Sequence, residues 1–315
     1  MLFFVILVYL AWCNALRYLA QQFASIGRAG NVVVCQMLHY LPYRVVLALF
    51  RAAYCLPWVG RRLKCRAMVA RANKQALLGV GEQRDFTWLT LRRKLLELAA
   101  TWAQNRRVLA DIAQCRAELN AVVAPLHQAG SPVILAPLHM VSDILAGMAG
   151  AGVTPGKTTV IVSSSVEAYQ QQVRQLGGID LDYCSIHDDN RDIAGNLMDA
   201  IMEAAELKRN IMIFPDITPD YTVNTNPANT SKLPCQLFGR AAHLHSGILR
   251  VARMLSAQVV FYHLYEEGGL KIRIFEPVSA RNLKKMLPEV IETAIRQHAD
   301  DWMLWHAHSL FFINE

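Results

Sequence analysis

The sequence predicts an α/β fold in which a mostly parallel central sheet is flanked by helices, and two observations support that prediction. From about residue 133 onward, short apolar runs alternate with longer runs of helical period. Parallel strands joined by helices produce this alternation, because each crossover returns the chain to the same end of the sheet. Residues 1 to about 125 instead carry apolar side chains at helical spacings, so we expect a helical region before the sheet.

The elements follow in order along the chain. Apolar positions from Leu89 to Ala103 predict a helix within residues 87–112. The predicted strands cover residues 133–139, 158–164, 181–186 and 210–216, and a hairpin about Gly268-Gly269 joins strands at 258–267 and 270–278. The predicted helices between and after them cover residues 166–177, 193–208, 245–257 and 286–301.

Charge is distributed unevenly along the chain. Residues 1–81 contain no Asp or Glu and hold ten of the 32 Lys and Arg. A basic, apolar segment suits an anionic membrane surface, to which each basic residue contributes about 1 kcal/mol. We therefore divide the chain into a membrane-associating helical region, residues 1–81, and an α/β domain, residues 82–315. Long apolar runs separate the basic residues and would be exposed on a soluble nucleic-acid binder, so we expect no nucleic acid partner.

The first sixteen residues are uncharged and mostly apolar, and the apolar stretch reaches Ala24 if Arg17 extends its charge to the lipid interface. That length predicts a membrane helix, with a buried hydrophobic helix as the alternative. The stretch lacks the basic start and the cleavage pattern of a signal peptide. Because the basic residues follow it, we expect the α/β domain on the cytoplasmic face of an inner membrane.

Neither a metal nor a nucleotide cofactor is indicated. The seven cysteines form no CxxC pair and no metal-ligand spacing, which favours a reducing compartment. No Gly-Lys-Ser/Thr follows the Ser and Gly clusters at 163–165 and 177–178, so there is no phosphate loop.

The clearest candidate site lies at the end of the first predicted strand, where His139 is followed by Ser142 and Asp143. If Asp143 accepts a hydrogen bond from one ring nitrogen of His139, the other nitrogen becomes a proton acceptor. Such a histidine is a general base that activates a hydroxyl or amine for attack on a thioester. The alternative is that Asp143 or Ser142 only caps the following helix.

Four motifs in order resemble the lipid A biosynthesis acyltransferase family, which is related to the lysophospholipid acyltransferases. They are VILAPLHMVSDILAG at 133–147, IMIFPD at 211–216, CQLFGRAAHLHSGILRVARMLSAQVV at 235–260 and DWMLWHAH at 301–308. The family places its acid five residues after the histidine, whereas this chain has His-x-x-x-Asp. One residue fewer rotates an acid on a helix by about 100°, so the loop after His139 must tighten for the pair to meet.

The resemblance implies an acyltransferase-like fold and transfer of an acyl group from an acyl carrier protein or acyl-CoA thioester. The acceptor would be a hydroxyl or amine of a membrane amphiphile such as lipid A or a related glycolipid. The resemblance assigns catalysis to His139 and Asp143, and substrate binding to Arg240, Asp216 and Ser142. Arg240 would hold an acceptor phosphate through two hydrogen bonds. Asp216 would orient a basic residue or shape the pocket, with a purely structural turn as the alternative.

Departures from the family pattern leave two alternatives open. His243 and His245 stand where the family has small residues, and Ala307 and His308 stand at its terminal Arg. These changes suit transfer of an aminoacyl or other carrier-bound unit, or a non-catalytic lipid-binding relative. His243 and His245 would share a face on an extended segment but not on a helix.

A basic cluster precedes the sheet and a polar loop follows the Pro-Asp motif. We expect the cluster, which comprises Arg84, Arg92, Arg93 and Lys94, on a solvated helix face, with binding of phosphate or an acidic carrier protein as the alternative. The loop over residues 215–234 has the length of a functional lid.

Overall fold

The structure is a computed structural model that describes residues 30–54, 61–79, 86–162, 181–185, 190–217 and 232–306. The predicted membrane helix at 1–24, the predicted helix at 166–177 and most of the polar loop lie outside these ranges. Within them, no helix combines the length and the apolar character that crossing a membrane requires.

Helices and strands alternate through the second half of the chain. The helices are α1 (Tyr43–Tyr54), α2 (Arg61–Leu78), α3 (Phe86–Ala100), α4 (Arg106–Gln128), α5 (Asp143–Ala151), α6 (Asn190–Ala205), α7 (Gly247–Leu255) and α8 (Leu283–Gln297), and residues 30–40 are also helical. The strands are β1 (Val133–Pro137), β2 (Thr158–Val162), β3 (Leu181–Ser185), β4 (Asn210–Ile213), β5 (Lys232–Leu237), β6 (Arg240–His245), β7 (Gln258–Glu266), β8 (Leu270–Ile274) and β9 (Val278–Ser279). A 3₁₀ helix spans Met303–His306.

The central sheet has the strand order β3-β2-β4-β1-β7-β8, with β9 beside β7. The four pairs from β3 to β7 are parallel, and β8 and β9 run antiparallel to β7. The predicted α/β class with a mostly parallel, helix-flanked sheet is therefore confirmed. The predicted hairpin about Gly268-Gly269 is also confirmed, since it joins β7 to β8 and Gly268 has a positive φ of 77°.

Alternating side chains of β1 enter two apolar cores on opposite faces of the sheet. Val133 and Leu135 pack on the side that α3, α4 and α5 cover. Ile134 and Ala136 pack on the side that α6, α7 and α8 cover. All five residues of β1 are buried, which explains why the strand is a continuous apolar run rather than an alternating one.

Small residues let α5 lie close to the sheet. A Cβ atom on Gly150 would meet the Met212 side chain and the Tyr262 hydroxyl at 2.5 Å. The same hydroxyl donates to the Ala146 carbonyl at 2.9 Å. Because α5 is anchored in this way, its N-terminus is held just beyond the end of β1.

The hairpin formed by β5 and β6 was not predicted. Its two strands pair antiparallel from Lys232 opposite His245 to Leu237 opposite Arg240. The turn uses Phe238 and Gly239, which both have positive φ values. The segment containing His243 and His245 is therefore extended, and the predicted helix begins only at Gly247.

The described N-terminal helices pack against the α/β domain. The Tyr43 hydroxyl donates to Glu266 Oε1 at 2.7 Å, and the Asn73 side chain donates to the Trp305 carbonyl at 2.9 Å. Lys74 forms an ion pair with Asp300. These contacts join α1 and α2 to β7 and to the segment around the 3₁₀ helix.

Candidate active site

His139 and Asp216 meet beyond the carboxyl ends of β1 and β4. These strands are parallel neighbours in a register that pairs Ile134 with Ile211 and Leu135 with Met212. The same offset of 77 residues separates His139 from Asp216. Ligands of open parallel sheets bind at this edge, so the pair occupies the expected place for a site.

Asp216 holds His139 by two hydrogen bonds. The imidazole Nδ1 lies 2.7 Å from Asp216 Oδ1, and the backbone N–H of His139 donates to Oδ2 at 2.9 Å. The Trp302 indole N–H donates to the same Oδ2 at 3.0 Å. Since the carboxylate accepts from Nδ1–H, Nε2 of the neutral ring carries the lone pair. Among the described residues the His139 ring makes no other hydrogen bond.

The predicted contact between His139 and Asp143 is wrong. Asp143 Oδ1 accepts from Arg93 Nη2 at 2.5 Å, while the ring N–H of His139 is bound to Asp216. Asp143 occupies the first turn of α5, on the far side of a tight loop, where Arg93 of α3 reaches it. Of the alternatives for Asp216, orientation of a basic residue is the one that the structure supports.

The loop between His139 and α5 is strained. Val141 has a φ of 60°, a left-handed conformation that is rare for a β-branched residue. Its backbone N–H donates to the Asp301 carbonyl at 2.8 Å, and the His139 carbonyl accepts from the Met303 N–H at 2.9 Å. The segment before the 3₁₀ helix therefore holds this turn in place. Such strain is often concentrated at functional sites.

Ser142 caps α5 and links it to α3. Its hydroxyl oxygen accepts from the Leu145 N–H at 3.3 Å, and the hydroxyl donates to Glu97 Oε1 at 2.7 Å. Glu97 also accepts from Arg93 Nε at 2.7 Å. Burial raises the pKa of Glu97, and the nearby Asp143 carboxylate adds to the rise. Ser142, predicted to bind substrate, is fully buried and its hydroxyl is used in these two bonds.

A cavity of about 940 Å³ opens beside His139. Its walls are mostly aliphatic or aromatic and come from β2, β4, α2, α3, α5, α6, α7 and the 3₁₀ helix. The apolar lining includes Ile144, Val160, Ile161, Leu197, Ile201, Met212, Phe214, Ile248, Val251 and Leu304. The ionisable lining residues are Arg66, Arg92, Arg93, His139, Asp143, His245, Arg250, Asp301 and His306. The site therefore combines a polar reaction centre with space for a large apolar group.

Arg240 lies away from this cavity. The side chain is exposed at the start of β6, and Nη2 donates to the Ala76 carbonyl of α2 at 3.1 Å. Arg240 is not among the cavity-lining residues, so the structure does not bring it together with His139. His245 on the same strand does line the cavity, whereas His243 does not.

The expectation that the basic cluster lies on a solvated face is wrong for Arg92. Its side chain is only 1% exposed and forms an ion pair with Asp301. Nη1 lies 3.8 Å from Glu266 Oε2, and the guanidinium stacks on the Trp88 ring with 4.6 Å between Cζ and the centroid. Arg92 thus connects α3 to β7 and to the segment before the 3₁₀ helix, while Lys94 is exposed as expected.

Sequence reasoning missed the part that Trp302 plays in the site. Its motif, DWMLWHAH, was noted only for its resemblance, with no contact to Asp216 foreseen. An indole N–H needs an acceptor when it is buried, and Trp302 is 1% exposed. The sequence indicates that a buried Trp302 needs a hydrogen-bond acceptor for its indole N–H. The acceptor is Asp216, which the strand order of the sheet brings next to Trp302. No group of three or more metal-ligating side chains occurs in the described ranges.

The chain matches no protein-family model and no curated protein.

Proposed function

We propose that the protein is an acyltransferase of the lysophospholipid acyltransferase-like type. It moves an acyl group from a carrier-protein or CoA thioester to a hydroxyl or amine of a membrane amphiphile, such as a glycolipid. The observation that carries this proposal is the His139–Asp216 pair, bonded at 2.7 Å beside a cavity with mostly apolar walls.

In this mechanism His139 is the general base. Nε2 takes the proton of the acceptor hydroxyl or amine as its oxygen or nitrogen bonds to the thioester carbonyl carbon. The tetrahedral intermediate then breaks its C–S bond, and the departing thiolate receives the proton from the imidazolium. Asp216 holds the ring in the required tautomer and stabilises its positive charge during the reaction.

The cavity suits an acyl chain. Its volume of about 940 Å³ falls at the large end of ligand sites, and most of the side chains that line it are apolar. Gly147 of α5 also contributes to the wall, where a larger side chain would take up space. Burial of methylene groups against these walls contributes about 0.8 kcal/mol for each CH₂.

The N-terminus of α5 supplies a place for the developing oxyanion. Asp143 and Ile144 both line the cavity, and within the described chain the Ile144 N–H has no acceptor. The first N–H groups of a helix have no intrahelical partner, and the helix dipole favours negative charge there. A donor directed at the carbonyl oxygen stabilises the tetrahedral intermediate more than the substrate.

We further propose that the protein works on the cytoplasmic face of an inner membrane. Residues 30–54 expose several large apolar side chains, namely Val32, Val33, Tyr40, Leu41, Val45 and Leu49. Arg44 and Arg51 lie among them, and the wider segment 1–81 holds no acidic residue. A surface of this composition suits a bilayer with anionic headgroups.

The proposal is tested by product formation. Full-length protein is incubated with a bacterial membrane lipid extract and either ¹⁴C-lauroyl carrier protein or ¹⁴C-lauroyl-CoA, and lipids are separated by chromatography. We expect a labelled lipid product with the wild-type protein and with His243→Ala, which removes a histidine outside the cavity. His139→Ala should form almost none.

Three other outcomes contradict the proposal in different ways. Equal labelling by the His139→Ala variant would remove His139 from the chemistry. Binding of the lipid without any product would favour the non-catalytic lipid-binding relative. Product formed only from an aminoacyl carrier thioester, supplied in a parallel reaction, would identify the transferred group as an aminoacyl unit.

A further inference from the structure

A second histidine lines the cavity with a ring nitrogen that the proposed chemistry does not use. His306 ends the 3₁₀ helix and, like His139, is one of the cavity-lining residues. Its imidazole Nδ1 lies 3.0 Å from the Met303 carbonyl oxygen, which can only accept a hydrogen bond. Nδ1 therefore carries the proton, and Nε2 carries the lone pair. Within the described part of the chain, Nε2 of His306 has no hydrogen-bond partner.

One residue, Met303, connects the two histidines. Its backbone N–H donates to the His139 carbonyl at 2.9 Å, and its own carbonyl accepts from His306. The neighbouring Trp302 donates to Asp216, so the same short segment also holds the acid behind His139. Because both histidines are bonded to the backbone of a single residue, His306 has a fixed place close to His139.

The surroundings of His306 hold its ring in place and keep it neutral. Phe86 packs against it with ring centroids 5.0 Å apart, just as Phe214 packs against His139 at 4.6 Å. Both phenylalanines line the cavity. Burial lowers the pKa of His306, and the charges of two nearby arginines lower it further. A neutral ring whose Nδ1–H is already engaged can only accept a hydrogen bond at Nε2.

We propose that Nε2 of His306 accepts a hydrogen bond from a hydroxyl or amide N–H of the substrate, beside the group that reacts at His139. This inference rests on the proposed function, since it names a second group that the acyltransferase recognises. A substrate that covers Nε2 without supplying a donor leaves the acceptor unsatisfied and binds less tightly. Two substrates carry a suitable donor. A glycolipid acceptor has further hydroxyls around the reacting one, and a carrier-protein or CoA thioester has an amide N–H in the arm next to its sulfur.

The lone pair of His306 can be removed while an aromatic ring is kept. His306→Phe preserves the packing on Phe86 but cannot accept a hydrogen bond, whereas His306→Gln supplies an amide oxygen as a new acceptor. His243→Phe is the matched control, because His243 does not line the cavity. A difference between the two Phe variants therefore reports the position of the lost acceptor and not the loss of a histidine as such.

The test is equilibrium binding by full-length protein in neutral-lipid nanodiscs, with empty nanodiscs as the blank. The acceptor arm compares dodecyl glucoside with its fully O-methylated form, which has no O–H. The donor arm compares S-lauroyl-N-acetylcysteamine with its N-methyl amide form, which has no N–H. The wild-type protein should bind the uncapped probe about fivefold more tightly in at least one arm, as expected for one neutral hydrogen bond. His306→Phe should abolish that preference, His306→Gln should keep part of it, and His243→Phe should keep all of it.

The arm that shows the preference identifies the acceptor or the donor as the source of the bonded group. The inference is overturned if the wild-type protein prefers the uncapped probe in neither arm, or if His306→Phe keeps the wild-type preference. It is also overturned if His243→Phe loses the preference as His306→Phe does. Because binding needs no turnover, any of these results leaves His139-dependent transfer untouched. Absence of transfer would refute the proposed function and leave the binding comparison to be decided separately.

Discussion

His139 and Asp216 occupy matching positions just beyond the carboxyl ends of two neighbouring parallel strands, and the strand register brings them within 2.7 Å. The hydrogen bond between His139 and Asp216 is therefore set by the pairing of β1 with β4. Each residue follows a buried strand whose backbone hydrogen bonds fix its position. Preorganisation of this kind lets a base act without a further cost of ordering.

The acid that supports His139 should be Asp216 and not Asp143. Asp216→Asn should lower kcat about 100-fold or more, because an amide no longer stabilises the imidazolium. Asp143→Asn should cost less than about tenfold, since its carboxylate pairs with Arg93. Steady-state transfer assays on both variants measure the difference, and thermal unfolding reports whether each is folded. A larger loss for Asp143→Asn would restore the sequence-based assignment.

Trp302 should act on turnover through Asp216. Trp302→Phe removes the indole donor to Oδ2 but keeps an aromatic ring. We expect a fall in kcat of roughly tenfold with little change in KM, because Trp302 does not line the cavity. Trp305→Phe is the matched control, since that indole donates to the Ala299 carbonyl instead. Equal kinetic losses in both variants would mean that Trp302 has only a structural role.

Gly150 should be required for the close approach of α5 to the sheet. An added Cβ would meet Met212 and Tyr262 at 2.5 Å, so Gly150→Ala should lower the free energy of unfolding by about 1–3 kcal/mol. At Gly247 an added Cβ meets nothing within 4 Å. Gly247→Ala should therefore change stability by less than about 0.5 kcal/mol or raise it slightly. Chemical denaturation compares the two, and a neutral Gly150→Ala would contradict the packing.

His263 should make the fold sensitive to acid. Burial, followed by the charges of His298 and Arg273, lowers its pKa to about 3 from an ordinary value of 6.5. Below pH 6.5 the unfolded chain binds a proton at this site and the folded chain does not. Stability is thus fully present above pH 6.5 and falls as pH drops toward about 3, by at most about 1.4 kcal/mol per pH unit.

Replacing His263 should reduce that dependence. His263→Phe keeps an aromatic ring among Tyr265, Phe275 and His298 but cannot bind a proton. The drop in Tm between pH 7.5 and pH 5.5 should be smaller than in the wild type, as measured by calorimetry. Some dependence should remain, because burial also lowers the pKa of His298. An unchanged drop would show that His263 does not control acid stability.

Residues 30–54 should contact the bilayer. Hydrogen–deuterium exchange of the full chain is measured with and without vesicles containing anionic phosphatidylglycerol. We expect slower exchange over residues 30–54 when vesicles are added and no change in α6, whose exposed Met198 and Met202 are equally apolar. Leu49→Asp should weaken the protection, whereas Met202→Asp should not. Protection of α6 alone would place the membrane contact elsewhere.

The sequence supported much of the fold because its signals are local. The apolar runs that became β1, β2, β4 and β7 are each bounded by polar or turn residues, and the helices between them have helical period. The β5–β6 hairpin was missed because its turn contains Phe238, which adopts a positive φ without the usual Asn-Gly signal. Arg92 was wrongly predicted to lie on a solvated helix face. A local run of basic residues does not show which of them pairs with a buried acid far away in the sequence, as Arg92 does with Asp301.

The choice of Asp143 as the partner of His139 came from proximity along the chain. Four residues on a continuous helix would bring the two side chains together. Here His139 lies just beyond the end of β1, and the strained turn at Val141 directs Asp143 toward α3. Asp216 was predicted to end another strand and to orient an unspecified basic residue, but nothing local indicated that β4 lies directly beside β1.

The sequence by itself determined the order of the strands of the parallel sheet and of the helices between them, and it placed His139 and Asp216 at strand ends. It also determined the acid-free composition of residues 1–81. Only the tertiary structure decided which strands are neighbours, which acid reaches His139, and which arginines line the cavity with it. The physical reason is the sequence separation over which each interaction acts. Apolar periodicity acts within a segment, whereas strand pairing and ion pairing join segments that are tens to hundreds of residues apart and depend on the packing of the whole domain.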